Sequence, residues 1–359
     1  MPIREQSFRI GCGRYLQKPH LLKECGAEFA RFGKKPFIIG GKTALSLTRD
    51  VIEKSVKDAG LEYNFTTHTG SCNDEDATAL ANAAKDGGFD VIVGVGGGVI
   101  MDFAKLTAFF ADLPVVNVPT SSATCACFTP LSVRYTKEGR TVGSKHFEYE
   151  VDAVLADTAV LVDQPPRLFI AGVFDALAKY LEIKQRYNDD NYALGLDWAY
   201  VLSQRSFSEL LKKTETALAD MARGEVTDTV EQMIFTTLAA TGVISGIARG
   251  SNQCALAHKF YETSRAQFFD ECRPYLHGEI VGIGLLMQNF FNGEENENEF
   301  LLSVMKKYGM PRSVYDIGIP EDATQLYYDK LIKTSAIDEN DQNELDLLRA
   351  GLKYLWGIK

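Results

Sequence analysis

Asp90-Val91-Ile92-Val93-Gly94-Val95-Gly96-Gly97-Gly98 is the stretch that decides the fold. Its first six residues are almost wholly apolar, the pattern of a strand buried on both faces of a parallel sheet. Three glycines follow at once, and a helical pattern from about Met101 to Phe110 carries Asp102 and Lys105. Without side chains, backbone N–H groups can approach a pyrophosphate, and a helix start adds favourable partial charge. A tight turn is the plainer alternative, and the GxGxxG fingerprint is not met. A turn rarely needs three glycines, so Gly96, Gly97 and Gly98 are read as a phosphate cradle.

Outward from this stretch, short apolar runs alternate with helical patterns. Pro36 to Ile39 reads as a strand closed by Gly40-Gly41, and Ala44 to Ala59 as a helix. Asp74 to Ala84 reads as a second helix with Asp74 as its N-cap, and Pro114 to Val118 as the strand after the glycine-led helix. That strand runs into Pro119-Thr120-Ser121-Ser122, small hydroxyl residues at a second strand end. Leu131 to Tyr135 and Thr141 to Ser144 form a hairpin, and Val151 to Val162 the last strand material. From Leu168 onward only long helical patterns follow. The expectation is an α/β domain over residues 1–163, with a mostly parallel, doubly wound sheet, and an all-helical domain over 164–359.

Composition narrows the function. The 359 residues include 45% hydrophobic and 24% charged, ordinary for a globular chain, and the net charge of −10 argues against a nucleic-acid or anionic-membrane partner. Met233 to Ala248 is apolar but too short for a membrane span. No signal peptide is apparent, and seven scattered cysteines without a CxxC pair suit reduced thiols. We expect a cytoplasmic protein with a small-molecule substrate, assembled as a homo-oligomer.

Asp175 stands in an apolar helical run, Ala171-Gly172-Val173-Phe174-Asp175-Ala176-Leu177-Ala178. A buried carboxylate needs a cation, a donor or a metal beside it. Two of the five histidines, His258 and His277, lie in the same half of the chain. Two imidazoles and one carboxylate leave coordination positions open, as a catalytic ion requires. The spacing alone is equally compatible with three buried side chains in satisfied hydrogen bonds.

Jointly these motifs resemble the iron-containing alcohol dehydrogenase superfamily, in particular its glycerol dehydrogenase branch, over nearly the whole chain. The resemblance rests on Gly94-Val95-Gly96-Gly97-Gly98 with Asp102, Ala104 and Lys105, and on Val118-Pro119-Thr120. It continues through Leu131-Ser132-Val133 with Tyr135, Ala171-Gly172, Asp175-Ala176-Leu177-Ala178, Ala257-His258 and His277-Gly278. Ala123-Thr124-Cys125-Ala126 with Thr129-Pro130-Leu131-Ser132-Val133 looks closer still to the bacterial hydroxycarboxylate dehydrogenases, which reduce 2-oxo acids.

The resemblance implies a dehydroquinate synthase-like architecture, an NAD(P)(H) cofactor and one divalent metal. Gly96, Gly97 and Gly98 would hold the pyrophosphate, with Asp102 near the nicotinamide. Thr120 and Ser121 would meet the adenosine side, and Thr129, Leu131 and Tyr135 would lie along the cofactor. Asp175, His258 and His277 would ligate the metal: zinc first, with iron, nickel and cobalt open. Three departures bear on substrate and cofactor. Val99 replaces a lysine after the glycines. Gly41, followed by Lys42, stands where an aspartate holds the adenosine ribose, which suggests tolerance of NADP(H). Cys125 aligns with the glycerol-contacting aspartate, and Tyr261 with a second histidine. Losing the carboxylate favours an anionic 2-oxo acid over a polyol. The expected reaction is hydride transfer between the nicotinamide and a 2-hydroxy/2-oxo acid pair, with glycerol oxidation as the alternative. A synthase-like lyase would need more Lys and Arg near the metal, and a nucleotide sensor would show a degraded metal site.

Overall fold

Eight strands occur among the described residues: β1 (Tyr15–Lys18), β2 (Pro36–Gly40), β3 (Asn64–Thr67), β4 (Val91–Gly96), β5 (Val115–Pro119), β6 (Leu131–Tyr135), β7 (Thr141–His146) and β8 (Ala153–Asp157). The structure is a computed structural model and describes residues 10–187, 194–248 and 254–358. Six strands pair in parallel in the order β1-β8-β5-β4-β2-β3, and β6 and β7 form an antiparallel hairpin. The parallel doubly wound expectation is met.

In β2, β4, β5 and β8 every residue is buried, so both faces of the central sheet are covered. Side chains alternate between the faces. Val91, Val93 and Val95 point into one core with Ile38, Ile52, Val56 and Phe29. On the opposite face Gly94 lies against Ala104 of the Gly98–Ala111 helix, and a Cβ at Gly94 would come within 2.5 Å of the alanine Cβ. The chain leaves β2 towards β3, returns past β2 to β4, and then continues outward to β5. The carboxyl ends of β2 and β4 therefore flank the switch point of the sheet, where open α/β sheets bind ligands.

Helix boundaries follow local chemistry. Lys42–Asp58 and Asp74–Asp86 are the two helices expected from the periodicity. The N-cap of the second is Asn73 rather than Asp74: its side chain accepts from Asp76 N at 2.9 Å. Asp74, Glu75 and Asp76 then occupy the first turn, where the helix dipole favours negative charge.

Two compact units emerge, one of Arg9–Pro165 with Leu211–Gly246, the other containing Pro166–Leu210 and Ile247–Lys359. The sheet unit takes the chain as far as Pro165, and residues 211–246, expected in the helical domain, cluster with it. The reason is tertiary. Glu231 accepts from the Thr158 hydroxyl at 2.6 Å and from the Gln17 amide, and Phe235 meets Tyr15 edge-on at 5.9 Å. The continuous helix Asp228–Ile247 is long and apolar enough to cross a membrane by length and composition. It is instead a core element, interrupted by one π-helical turn at Thr236–Ala240, where the Thr241 hydroxyl donates to Thr236 O. All seven cysteines are free thiols.

The helical unit is built on Pro166–Arg186, Leu256–Gln267 and His277–Phe291, which pack on one another, with Asn298–Lys307, Thr324–Leu331 and Gln342–Gly357 among its other helices.

Candidate metal centre and dinucleotide cradle

The helical unit brings together Asp175, His258 and His277, one from each of its three central helices. Two glycines of His277–Phe291 make this convergence possible. A Cβ on Gly278 would lie 1.8 Å from Ala171 O, and one on Gly284 would lie 2.7 Å from Ala257 O. The helix therefore touches the backbone of both neighbours. Ala171 stands one helical turn before Asp175 and Ala257 immediately before His258, so both close contacts lie at the ligands. Arg167 fixes the start of the helix by a bidentate pair with buried Glu279 at 2.6 and 2.7 Å, and Glu279 also accepts from Leu276 N at 2.8 Å.

The three donor atoms form a nearly equilateral triangle. His277 Nε2 lies 3.3 Å from His258 Nε2, and Asp175 Oδ1 lies 3.4 Å from His258 Nε2 and 3.5 Å from His277 Nε2. A tetrahedral ion with ligands at about 2.1 Å has edges of about 3.4 Å. Asp175 and His258 are buried and His277 half-buried, so the triangle keeps one accessible side. The donor set and its dimensions fit a divalent metal with coordination positions left for substrate or water.

Two further charged groups face the triangle. Glu182 is fully buried; its Oε1 accepts from Ala255 N and His258 N, both at 2.8 Å, and its Oε2 binds His258 Nδ1. That carboxylate keeps the proton on Nδ1 and turns the Nε2 lone pair to the metal position. Lys179 is also buried, with Nζ 3.3 Å from Asp175 Oδ1 and 3.5 Å from His258 Nε2. Asp175, Lys179 and Glu182 are spaced i, i+4, i+7 along one buried face of the helix. The sequence reading singled out only the first; three charges on one stripe of a buried helix were the missed signal.

Electrostatics follow from this packing. Burial raises the Asp175 carboxyl, but the Lys179 ammonium and the two imidazoles outweigh it and hold the group well below the usual carboxylate range. Burial lowers the His258 imidazole, yet the Glu182 carboxylate pulls it up to about 10. Desolvation keeps His277 below its ordinary value. Tyr261, expected near the substrate, meets the His277 ring edge-on at 4.2 Å.

In the sheet unit, Gly96 ends β4, Gly97 is the N-cap and Gly98 opens the Gly98–Ala111 helix. A Cβ on Gly97 would come within 3.3 Å of the Ser121 hydroxyl, and one on Gly98 within 3.0 Å of the Thr124 hydroxyl. Side chains here would fill the cradle. Thr120 N donates to Gly96 O at 2.9 Å, which ties the hydroxyl-rich strand end to the glycines. Gly41 N donates to Val95 O, so Gly41 and exposed Lys42 stand at the neighbouring strand end, at the start of a helix with no acidic first-turn residue. Backbone N–H groups, hydroxyls and a lysine around one strand switch suit a dinucleotide.

Lys105 organises the far side of this cradle and was also missed as a site residue. Its buried ammonium lies 2.9 Å from Asp102 Oδ1 and donates to Ala126 O at 2.6 Å, Thr129 O at 2.9 Å and Leu131 O. Asp102 also accepts from Val133 N at 3.1 Å and, through its carbonyl, from the Ser132 hydroxyl. One lysine thus pins the segment carrying Thr129 and Leu131 against Asp102. Cys125 is buried at the head of that segment, its carbonyl accepting from Phe128 N, and Tyr135 closes β6 with its N–H on Cys72 O.

Comparisons with known proteins show what the chain is similar to. The iron-containing alcohol dehydrogenase profile matches residues 12–162. Glycerol dehydrogenase of Pseudomonas putida is 30% identical over 315 residues, covering 86% of this chain and 85% of that protein. Hydroxycarboxylate dehydrogenase A of Escherichia coli K12 is 28% identical over 267 residues, covering 73% and 72%. The crystal structure of glycerol dehydrogenase from Schizosaccharomyces pombe has the same fold, with a TM-score of 0.81 at 22% identity over 98% of this chain and 92% of that one.

Proposed function

Since the chain belongs to the iron-containing alcohol dehydrogenase family, we propose that it interconverts a small 2-hydroxy acid and its 2-oxo acid by hydride transfer to and from a nicotinamide dinucleotide. The convergence of Asp175 Oδ1, His258 Nε2 and His277 Nε2 carries the reading: three donors at tetrahedral edge distances, in a family that acts on alcohols. When bound, a divalent metal supplies a Lewis acid for the substrate oxygen and the dinucleotide gives or takes the hydride.

The chain's own residues do the rest. Gly96, Gly97 and Gly98 offer backbone N–H groups to the pyrophosphate, and Lys105 with Asp102 fixes the segment that borders it. Glu182 holds His258 in the tautomer that can ligate. Zinc is the metal of first choice for this donor set, and the scattered free thiols favour the cytoplasm.

Substrate class is argued from Cys125, which stands where polyol enzymes of this resemblance carry an aspartate; an anionic substrate gains by its loss. The names of the relatives favour a second reading, oxidation of glycerol. Lys42 beside Gly41, with no acidic residue in that first helical turn, supports use of NADP(H).

A panel of 2-oxobutyrate, oxaloacetate, hydroxyacetone and glycerol, each run with both cofactors and added Zn²⁺, tests these points. Larger kcat/KM for the oxo acids is expected. Turnover of the polyol alone would establish the second reading, and a strong preference for NADH would remove the role given to Lys42.

A further inference from the structure

Lys179 has no place in the chemistry described so far, yet burying an ammonium is costly unless it is matched by charge. It lies in the middle of Pro166–Arg186, and only 4% of its surface is exposed. Its Nζ is 3.3 Å from Asp175 Oδ1 and 3.5 Å from His258 Nε2, two of the three atoms that would hold the metal.

A divalent cation among those atoms and the ammonium repel one another, and a lysine on its flexible stem can turn its charge elsewhere without leaving the site. Charge counting shows what the pair then attracts. Asp175 and Glu182 bring two negative charges and Lys179 one positive; both imidazoles are neutral when they ligate. With a divalent ion the cluster stands one charge positive, where the same site without the lysine would be neutral. A neutral polyol gains nothing from that excess. A monoanion whose carboxylate is adjacent to its reacting carbon offers both an oxygen for the ion and a charge for the ammonium. Arg186, seven residues on, is half-buried and donates to Cys254 O at 3.1 Å, so it is engaged elsewhere.

We propose that Lys179 is the carboxylate-binding residue of this site, making its substrates small 2-oxo and 2-hydroxy monocarboxylates. The proposal rests on the dehydrogenase reading and refines it: substrate charge is read beside the metal, from the helix that also supplies Asp175 and Glu182. Selection works by attraction: an uncharged carbonyl compound of the same size gains nothing from the excess positive charge.

The test compares wild type, Lys179→Met and Lys179→Arg on 2-oxobutyrate and on hydroxyacetone, which carries a neutral hydroxymethyl group in place of the carboxylate. Zn²⁺ affinity of each metal-free protein is measured in parallel by calorimetry. For Lys179→Met, kcat/KM on 2-oxobutyrate should fall at least about 30-fold, chiefly through KM. Hydroxyacetone should change less than about threefold, and Zn²⁺ should bind as tightly as in wild type or tighter, because a competing cation is gone. Lys179→Arg should keep most of the preference for the oxo acid. Equal losses on both substrates, or a collapse of Zn²⁺ affinity in both variants, would overturn the proposal and leave the dehydrogenase reading standing. A wild-type enzyme that reduces hydroxyacetone and no oxo acid would overturn the substrate reading itself.

Discussion

Replacing Glu182 by glutamine changes one atom and should cost most of the metal affinity. The carboxylate uses Oε1 for two backbone donors, Ala255 N and His258 N at 2.8 Å each, and Oε2 for His258 Nδ1. In Glu182→Gln only the amide oxygen can serve the two N–H groups, so the amide NH₂ must face the ring. An NH₂ donates and demands a lone pair on Nδ1. The ring proton then moves to Nε2, the atom that must ligate. Either the metal is lost or a donor is set against a donor; an unmet buried hydrogen bond of this kind costs about 1–3 kcal/mol. Carboxylates that accept a hydrogen bond from a ligating histidine are worth about 10–100-fold in affinity, the same range. Chelator competition against Zn²⁺ should show that loss, with a modest loss of thermal stability, because both backbone N–H groups remain bonded while the charge pair with His258 is gone. Glu182→Ala, which strands them, should lose stability as well. ¹⁵N shifts of labelled histidine should show His258 changing tautomer in the glutamine variant alone. Unaltered Zn²⁺ affinity in a folded Glu182→Gln protein would refute the reasoning.

Other perturbations separate the two sites. Gly278→Ala places a methyl group 1.8 Å from Ala171 O, so the helix must shift; a loss of roughly 1–3 kcal/mol on chemical denaturation is expected, with weakened Zn²⁺ binding because His277 moves with it. Gly97→Val fills the cradle against Ser121 and should weaken dinucleotide binding at least about tenfold by fluorescence titration, with Zn²⁺ affinity unchanged. In the ion-free protein His258 is raised from 6.5 to about 10. The stability it contributes is therefore complete below pH 6.5 and fades as pH rises through about 10. Since the metal displaces that proton, Zn²⁺ affinity should climb about tenfold per pH unit between pH 7 and 9; a flat profile would mean that His258 does not ligate.

What could be read from the sequence depended on where each signal is made. β4 and its glycines were legible because a strand buried on both faces is apolar at every position. β1 and β3 gave no such run: they are the two edges of the sheet, short and half-exposed, with Gln17, Lys18, Asn64 and two threonines. Their pairing is imposed by neighbours, as is the association of residues 211–246 with the sheet, which rests on Glu231 and Phe235 meeting Tyr15, Gln17 and Thr158. The metal ligands were identifiable by type, but their convergence depends on two glycines whose purpose appears only when helices touch. Lys179 and Glu182 were visible as spacing on the helix of Asp175. Lys105 stood in a quoted motif one helical turn from Asp102, while its three carbonyl partners come from tertiary structure.

Metal content of the purified chain and of single variants at each ligand, measured by elemental analysis together with dinucleotide titration, bears most directly on the account. One divalent ion per chain is expected for wild type. Asp175→Asn, His258→Ala and His277→Ala should each lose the ion and hydride transfer while still binding the dinucleotide. Full turnover by a wild-type protein stripped of metal, or an ion held undiminished in all three variants, would contradict it.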